Sequence, residues 1–348
     1  MGITKQRIRL PAEWEPQSAI LLTWPHAYTD WHSQLTEIKN VFLDIAFHIT
    51  LYQSLIIVCF DDEHRTHIQQ QFLDKHISTE RCHFFIAPSN DSWVRDHGPV
   101  TVLHDQLPML LNFTFNGWGL KYPCELDNAI TSSLYAAGAF SNTPIEDIDF
   151  ILEGGNLESD GQGTLLAGQQ CLFSEKRNPN LTPVEIEDKL KQLTGVVRIL
   201  FLKNGQISGD DTDGHIDTLA RFVNRETIVY VSCDDRNHPD YSSLKLMEDE
   251  LNTFRQLNGN PYSLRRLPLP GPITNDSNEY LPPSYANFLI INEAVLLPQY
   301  NVKEDYLAAE IIGECFPDRK VIGINCLPLI GQFGSLHCVT MQLPINVI

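Results

Sequence analysis

The chain has 348 residues, a net charge of −19, and 43% hydrophobic and 20% charged residues. That length can bury a large core as one domain or two. The acidic balance argues against nucleic acid, which needs clustered Lys and Arg, and suits a cationic substrate steered to an acidic cleft.

At the N-terminus, "MGITKQRIRLPAEWEPQ" lacks the apolar stretch of a signal peptide, and Gln6 stands where a myristoylation motif requires Ser or Thr. Strand-like apolar runs then alternate with segments of helical spacing. "SAILLTW" precedes a helix over 35–51, "SLIIVCF" one over 64–75, and "CHFFIAP" follows. Further on, "MLLNF" leads to a helix over 125–137, and one over 183–193 leads to "RILFL". "TIVYV" precedes a helix over 242–257, and "NFLII" and "AVLLP" precede one over 302–315. Without the second, the helix centres recur roughly every sixty residues after the first gap, which hints at a repeated unit of a few strands and one helix. The same alternation suits an ordinary α/β sheet. No glycine-rich phosphate loop follows a strand. The Pro-rich stretch 265–285 is the best candidate for a long loop.

Nothing approaches a membrane-spanning apolar run of about 18 residues. Eight cysteines stand singly at 59, 82, 124, 171, 233, 315, 326 and 338, with no C-x-x-C pair. A reduced, cytoplasmic protein is therefore expected, with self-association into a homo-oligomer left open. Seven of the cysteines sit in settings that suit small buried hydrophobes.

Four stretches place reactive side chains among glycines. In "NDSWVRDHGPV", Asp96 precedes a Gly98-Pro99 turn, at a strand end or loop mouth; its plain reading is a carboxylate satisfying that turn. In "ILEGGNLESDGQGTLLAG", Glu153 ends an apolar run before Gly154-Gly155, and the plain reading is a hairpin with an exposed Glu. In "GDDTDGHIDTLARF", His215 and Asp217 share one face at a strand's period of two, which suits acid–base work. They could also be two ligands of one metal ion, although a calcium loop fails for want of its glycine and closing Glu. In "FGSLHCVTMQ", Cys338 has Gly334 and Ser335 upstream and a polar flank. His337, beside it on a strand, would face the other way and reads as structural. One thiol, one histidine and one acid would make a Cys-His-Asp peptidase. The surplus of carboxylates suits a guanidinium, whose planar N–H fork pairs with them bidentately.

In order, "PAEWEP", "WVRDHGP", "FNGWGLKYP", "EGGN", "DDTDGHID" and "LHCVTMQ" resemble the agmatine deiminases and their relatives, the Porphyromonas-type peptidylarginine deiminases. The resemblance runs from Pro11 to Gln342. It implies a single domain over 1–348 with an α/β fold, a five-bladed propeller of ββαβ units around a pseudo-fivefold axis. It implies hydrolysis of a guanidine to a urea and ammonia, with agmatine first and free or peptidyl arginine as rivals. By position, Cys338 would be the nucleophile and His215 the general acid and base, with Asp96 and Asp217 gripping the guanidinium. Glu153 would support the histidine or the substrate, and Asp211 would shape the pocket. Trp93, Arg95 and Trp118, inside the matching motifs, are further substrate-binding candidates. No metal or organic cofactor is implied. A metal-dependent hydrolase and a propeller without chemistry are the readings from other classes. The family pattern Gly-Gly-Gly-Asn-Ile-His-Cys-Ile-Thr-Gln-Gln is broken by Phe333, Ser335 and Met341, which bears on the pocket wall and on substrate identity.

Overall fold

The computed structural model describes residues 8–348, so the Met1-Gly2 start lies outside the described residues. The fold is mixed α/β, and its strands assemble into five small sheets and one two-stranded ribbon. Each sheet contains an antiparallel neighbour pair followed by a parallel neighbour reached through helical segments. Gln17–Thr23 pairs antiparallel with Met341–Pro344 and parallel with Ser54–Cys59, across the helix Leu35–Thr50. Leu107–Thr114 pairs with Val100–His104 and Ile145–Ile151. Thr164–Gly168 pairs with Glu158–Ser159 and Arg198–Leu202. Thr227–Ser232 pairs with Ala220–Asn224 and Ser263–Pro268, and Ala294–Gln299 pairs with Leu289–Ile290 and Lys320–Asn325. The last strand of the chain thus completes the sheet of the first long one.

The apolar runs are continuous because parallel strands are covered on both faces. In Ser54–Cys59, Leu55, Ile57 and Cys59 enter one core cluster, while Ile56 and Val58 enter another on the opposite face. Helix Pro183–Thr194 starts where Thr182 and Glu185 form a capping box with Pro183 in the first turn, and stops at Gly195, φ 71°. No helix among the described residues is long and apolar enough to cross a membrane.

Several expectations need correction. The helix over 242–257 runs only Tyr241–Leu251, because Asn252 and Thr253 turn their side chains back onto the carbonyls of Glu248 and Glu250. The segment 125–137 is two helical pieces, Glu125–Asn128 and Ile130–Ala136. Stretch 265–285 is not all loop, since it carries the ribbon Ile273–Thr274 with Tyr280–Leu281. Four of the seven other cysteines, 82, 124, 233 and 315, are only half-buried. Neither His215–Asp217 nor His337–Cys338 lies on a strand. The first pair spans a 3-10 turn, Ile216–Thr218 with His215 capping it, and the second lies in a turn ahead of Met341–Pro344.

Those turns belong to a set that positions the site. Where the chain passes from one sheet to the next it makes a single turn: at Val94–His97, Gly154–Asn156, Ile216–Thr218, Ser284 to Asn287, and His337 to Thr340. Hydrogen bonds link the five into a circuit. Gly155 N donates to Asp96 Oδ1 at 2.9 Å, and Ile216 N to Asn156 Oδ1 at 3.3 Å. Asn287 Nδ2 donates to the Asp217 carbonyl at 3.4 Å, and His337 N to Asn287 Oδ1 at 2.9 Å. Arg95 N closes it on the Cys338 carbonyl at 3.2 Å. Turns from distant parts of the chain are thereby held against one another, and their side chains converge.

Candidate active site

Cys338, 5% exposed, lies at the floor of a cleft of about 170 Å³. Its Sγ is 3.7 Å from Asp217 Oδ2 and 3.4 Å from Asn287 Oδ1. Burial, with the Asp217 and Asp96 charges, pushes the thiol well above its ordinary range. Asp96 Oδ2 accepts from Trp118 Nε1 at 2.9 Å, and burial raises its carboxyl to about 6. Trp118 is delivered by four successive left-handed residues, Gly117 to Leu120, a conformation that costs non-glycine residues roughly 1–2 kcal/mol each. That strain sits at the functional cleft, which Trp118 lines.

His215, 1% exposed, directs Nε2 to Glu153 Oε2 at 2.8 Å, while Nδ1 lies 3.6 Å from Asp96 Oδ1 with no hydrogen-bond partner. Glu153 is the reverse of an exposed hairpin residue: Arg177 grips both its oxygens at 2.8 Å, and Arg177 in turn holds Asp213 and the Thr212 carbonyl. Burial would raise the Glu153 carboxyl, but the His215 hydrogen bond and the Arg177 charge hold it at about 2. Burial would lower the His215 ring, yet the charges around it, Asp96 foremost, raise it well above its usual value. Asp217 Oδ2 meets His337 Nδ1 at 2.8 Å, and its buried Oδ1 has no hydrogen-bond partner. Burial would raise this carboxyl too, but the contact with His337 holds it down.

Trp93, Trp118 and Asp211 line the cleft beside Asp96 and Cys338, while His215, Glu153 and Asp217 are buried beneath its floor. Asp211 is anchored by Lys121 and by the Tyr122 hydroxyl at 2.6 Å. Arg95 departs from expectation. Its guanidinium points away from the cleft, onto Glu13 at 3.1 Å and Gln342, and lines a cavity of about 40 Å³. Two glycines are required by close approach. A Cβ on Gly334 would stand 2.2 Å from the Trp93 ring, and one on Gly155 would stand 2.7 Å from His215 Nδ1. Phe333 takes φ 64°, a left-handed conformation that suits the glycine of the family pattern.

Sequence reasoning gave no role to Arg177 and Glu13 and did not decide whether Asn287 lines the site. Asn287 accepts from Cys338 Sγ and supports the turn that carries it; its only signal is a small polar residue just before an apolar strand, as at Asn156 and Asp217. Glu13 lies under the site, bonded to Arg95, Arg221 and His337 Nε2, and Arg221 also holds Glu158. Gly155→Ala tests the close packing. Displacement of His215 is expected to lower kcat by about 100-fold, and a variant with unchanged kcat would show that the ring has room to spare.

A buried thiol, a histidine held by a carboxylate and two further buried carboxylates compose an enzyme site. Its relatives define its class as a hydrolase acting on C–N bonds. The chain belongs to the Porphyromonas-type peptidyl-arginine deiminase family, whose model matches residues 9–344. It is 32% identical to the "Putative agmatine deiminase" of Marinomonas sp. (strain MWYL1), over 97% of this chain and 94% of that protein. Among solved structures it resembles the "Putative Arginine Deiminase" of Porphyromonas gingivalis, 46% identical with a TM-score of 0.91, covering 97% of this chain and 99% of that one. It is equally similar in shape to the agmatine deiminase of C. jejuni with substrate bound, 33% identical with a TM-score of 0.90, covering 99% and 98%.

Proposed function

We propose that the protein hydrolyses agmatine to N-carbamoylputrescine and ammonia through a covalent adduct on Cys338. The observation that carries the substrate is the cleft's lining, which contains four aspartates, Asp30, Asp91, Asp96 and Asp211, and no Lys, Arg or His. Agmatine is a cation at both ends. Free arginine would bring its α-carboxylate against those aspartates, where the neighbouring Lys121 is already engaged by Asp211 and Asp213, and a peptidyl arginine would leave the outer ones unpaired. The name of the P. gingivalis relative points to arginine; the acidic lining favours agmatine.

The guanidinium fits between Asp96 and Asp217, whose Oδ1 is free to accept an N–H. Its positive charge offsets the two carboxylates that, with burial, hold the Cys338 thiol protonated, so the thiol gives its proton to solvent as the substrate enters and regains one after the product leaves. Thiolate attack on the guanidinium carbon gives a neutral tetrahedral adduct. The imidazolium of His215, through the otherwise unpartnered Nδ1, protonates the departing nitrogen, and ammonia leaves an S-amidino cation. Neutral His215 then takes a proton from water as it adds to that carbon. Collapse returns the Cys338 thiolate and releases the ureido product, whose surplus proton goes to ammonia. Glu153, fixed by Arg177, holds the ring so that Nδ1 faces the reacting carbon.

The five sheets, each handing on to the next through one of the linked turns, stand as five blades about a common axis within one domain over 1–348. Eight free thiols suit a reducing, cytoplasmic setting.

The test is ammonia and ureido-product formation from agmatine, free arginine and an arginyl peptide. Agmatine is expected to be turned over with the highest kcat/KM; preference for arginine would overturn the substrate and leave the chemistry. Asp91 adds a pH signature. Burial and the nearby Asp30 raise its carboxyl to about 7, so it becomes anionic only as pH climbs through that value. KM for agmatine is expected to fall between pH 6 and 8, about where that carboxyl titrates, and Asp91→Asn should flatten the trend. An identical trend in the variant would show that Asp91 does not act on agmatine binding.

A further inference from the structure

Cys171 has no part in the chemistry above, yet it touches it. The residue is 2% exposed in the one-turn helix Gln169–Leu172, and its Sγ is 3.2 Å from Glu153 Oε2, the oxygen that also meets His215 Nε2 at 2.8 Å. One ligand atom from each of Cys171, Glu153 and His215 lies within 4.8 Å of the others. Thiolate, imidazole and carboxylate are the donors that zinc takes in tetrahedral sites, at about 2.0–2.3 Å from the metal. Donor atoms on such a shell stand about as far apart as these three already do.

We propose that Cys171, Glu153 and His215 form a capture site for zinc or a similarly thiophilic divalent cation, and that its occupation arrests the enzyme. The thiolate and carboxylate together balance the dication's charge. Arg177 does not bar the way, because it can cede Glu153 Oε2 while keeping Oε1, Asp213 and the Thr212 carbonyl. Binding releases the Cys171 thiol proton and the proton on His215 Nε2, so affinity rises with pH. The ring's one remaining N–H is then confined to Nδ1, which can no longer take a proton from water. This effect on turnover rests on His215 as the acid–base group, whereas the binding does not.

Cobalt(II) is the probe, added to the Cys338→Ser protein so that the cleft thiol cannot serve as a ligand. A near-ultraviolet thiolate-to-cobalt charge-transfer band at one equivalent is expected, and it should vanish in Cys338→Ser/Cys171→Ser. No band in the first protein, or an undiminished band in the second, overturns the site. Cys171→Ala replaces the serine variant where the hydroxyl disturbs buried packing. In the wild type, zinc is expected to inhibit and EDTA to restore turnover, with Cys171→Ser raising the half-inhibitory zinc concentration at least about tenfold. Equal zinc sensitivity in both overturns the regulatory claim. The cobalt readout needs no turnover, so a wrong substrate assignment leaves it standing.

Discussion

Replacing Cys338 by serine is expected to reduce turnover of agmatine by at least about 10⁴-fold, the scale on which loss of a covalent nucleophile acts. Serine keeps the size of the side chain and can still meet Asn287 Oδ1, so the floor of the cleft keeps its shape. On the proposed mechanism, what it loses is a nucleophile that ionises when the guanidinium enters. The hydroxyl's far higher pKa lies beyond the reach of the charge compensation that substrate supplies between Asp96 and Asp217. Binding is expected to survive, because both carboxylates and Trp118 are untouched. Single-turnover mass spectrometry of the wild type should show the S-amidino adduct on Cys338, and the serine variant should show none. A variant retaining more than about a hundredth of wild-type kcat would mean that the thiol is not the nucleophile.

The second large effect is on stability. Glu13→Gln is expected to cost about 3–5 kcal/mol, the range for breaking a buried ion network from one side. Glu13 sits among Arg95, Arg221 and His337, with Arg221 fully buried and stacked on the Phe288 ring. The neutral amide would leave Arg95 without its acidic partner and Arg221 with Glu158 alone. Burial would raise the Glu13 carboxyl, but Arg221, His337 and Arg95 hold it well below the usual carboxylate range. A carboxylate depressed on folding contributes stability that is complete above its unfolded value and is lost only as pH falls through the folded one. The part of the difference that Glu13's own carboxylate contributes should therefore be constant near neutral pH and shrink in acid, while Glu158, which burial raises to about 8, adds a second change near neutral pH. Urea denaturation at several pH values measures it; a loss under about 1 kcal/mol at pH 7 would show that the network relaxes around the amide.

Glu13 also shows where sequence reading stops. In "PAEWEP" it is one acid among many, and nothing nearby marks it as buried. Its partners Arg95, Arg221 and His337 are far away in the chain, and only the circuit of turns brings them beneath the cleft. His337 is a related case. Its placement on a strand implied a side chain facing away from Cys338; on a turn, its ring reaches Asp217 on one side and Glu13 on the other. A neutral ring can donate to one of them and a protonated ring to both. Arg95 is the converse, since its place in the "WVRDHGP" motif suggested substrate, and the helical turn Val94–His97 sends its side chain away from that of Asp96.

The sequence by itself determined most of the long elements and the chemistry-bearing residue types. Apolar runs such as "SLIIVCF" report burial on both faces, helical spacing is local, and the ordered motifs from "WVRDHGP" to "LHCVTMQ" marked Asp96, Glu153, His215, Asp217 and Cys338. The tertiary structure alone decided how these residues meet: which oxygen of Asp217 lacks a partner, which nitrogen of His215 meets Glu153, and that Cys171 shares an oxygen of Glu153 with it. The physical reason is range. Secondary-structure patterns are set by neighbours within a few residues, whereas hydrogen bonds and ion pairs between turns from separate sheets depend on packing that no local pattern encodes.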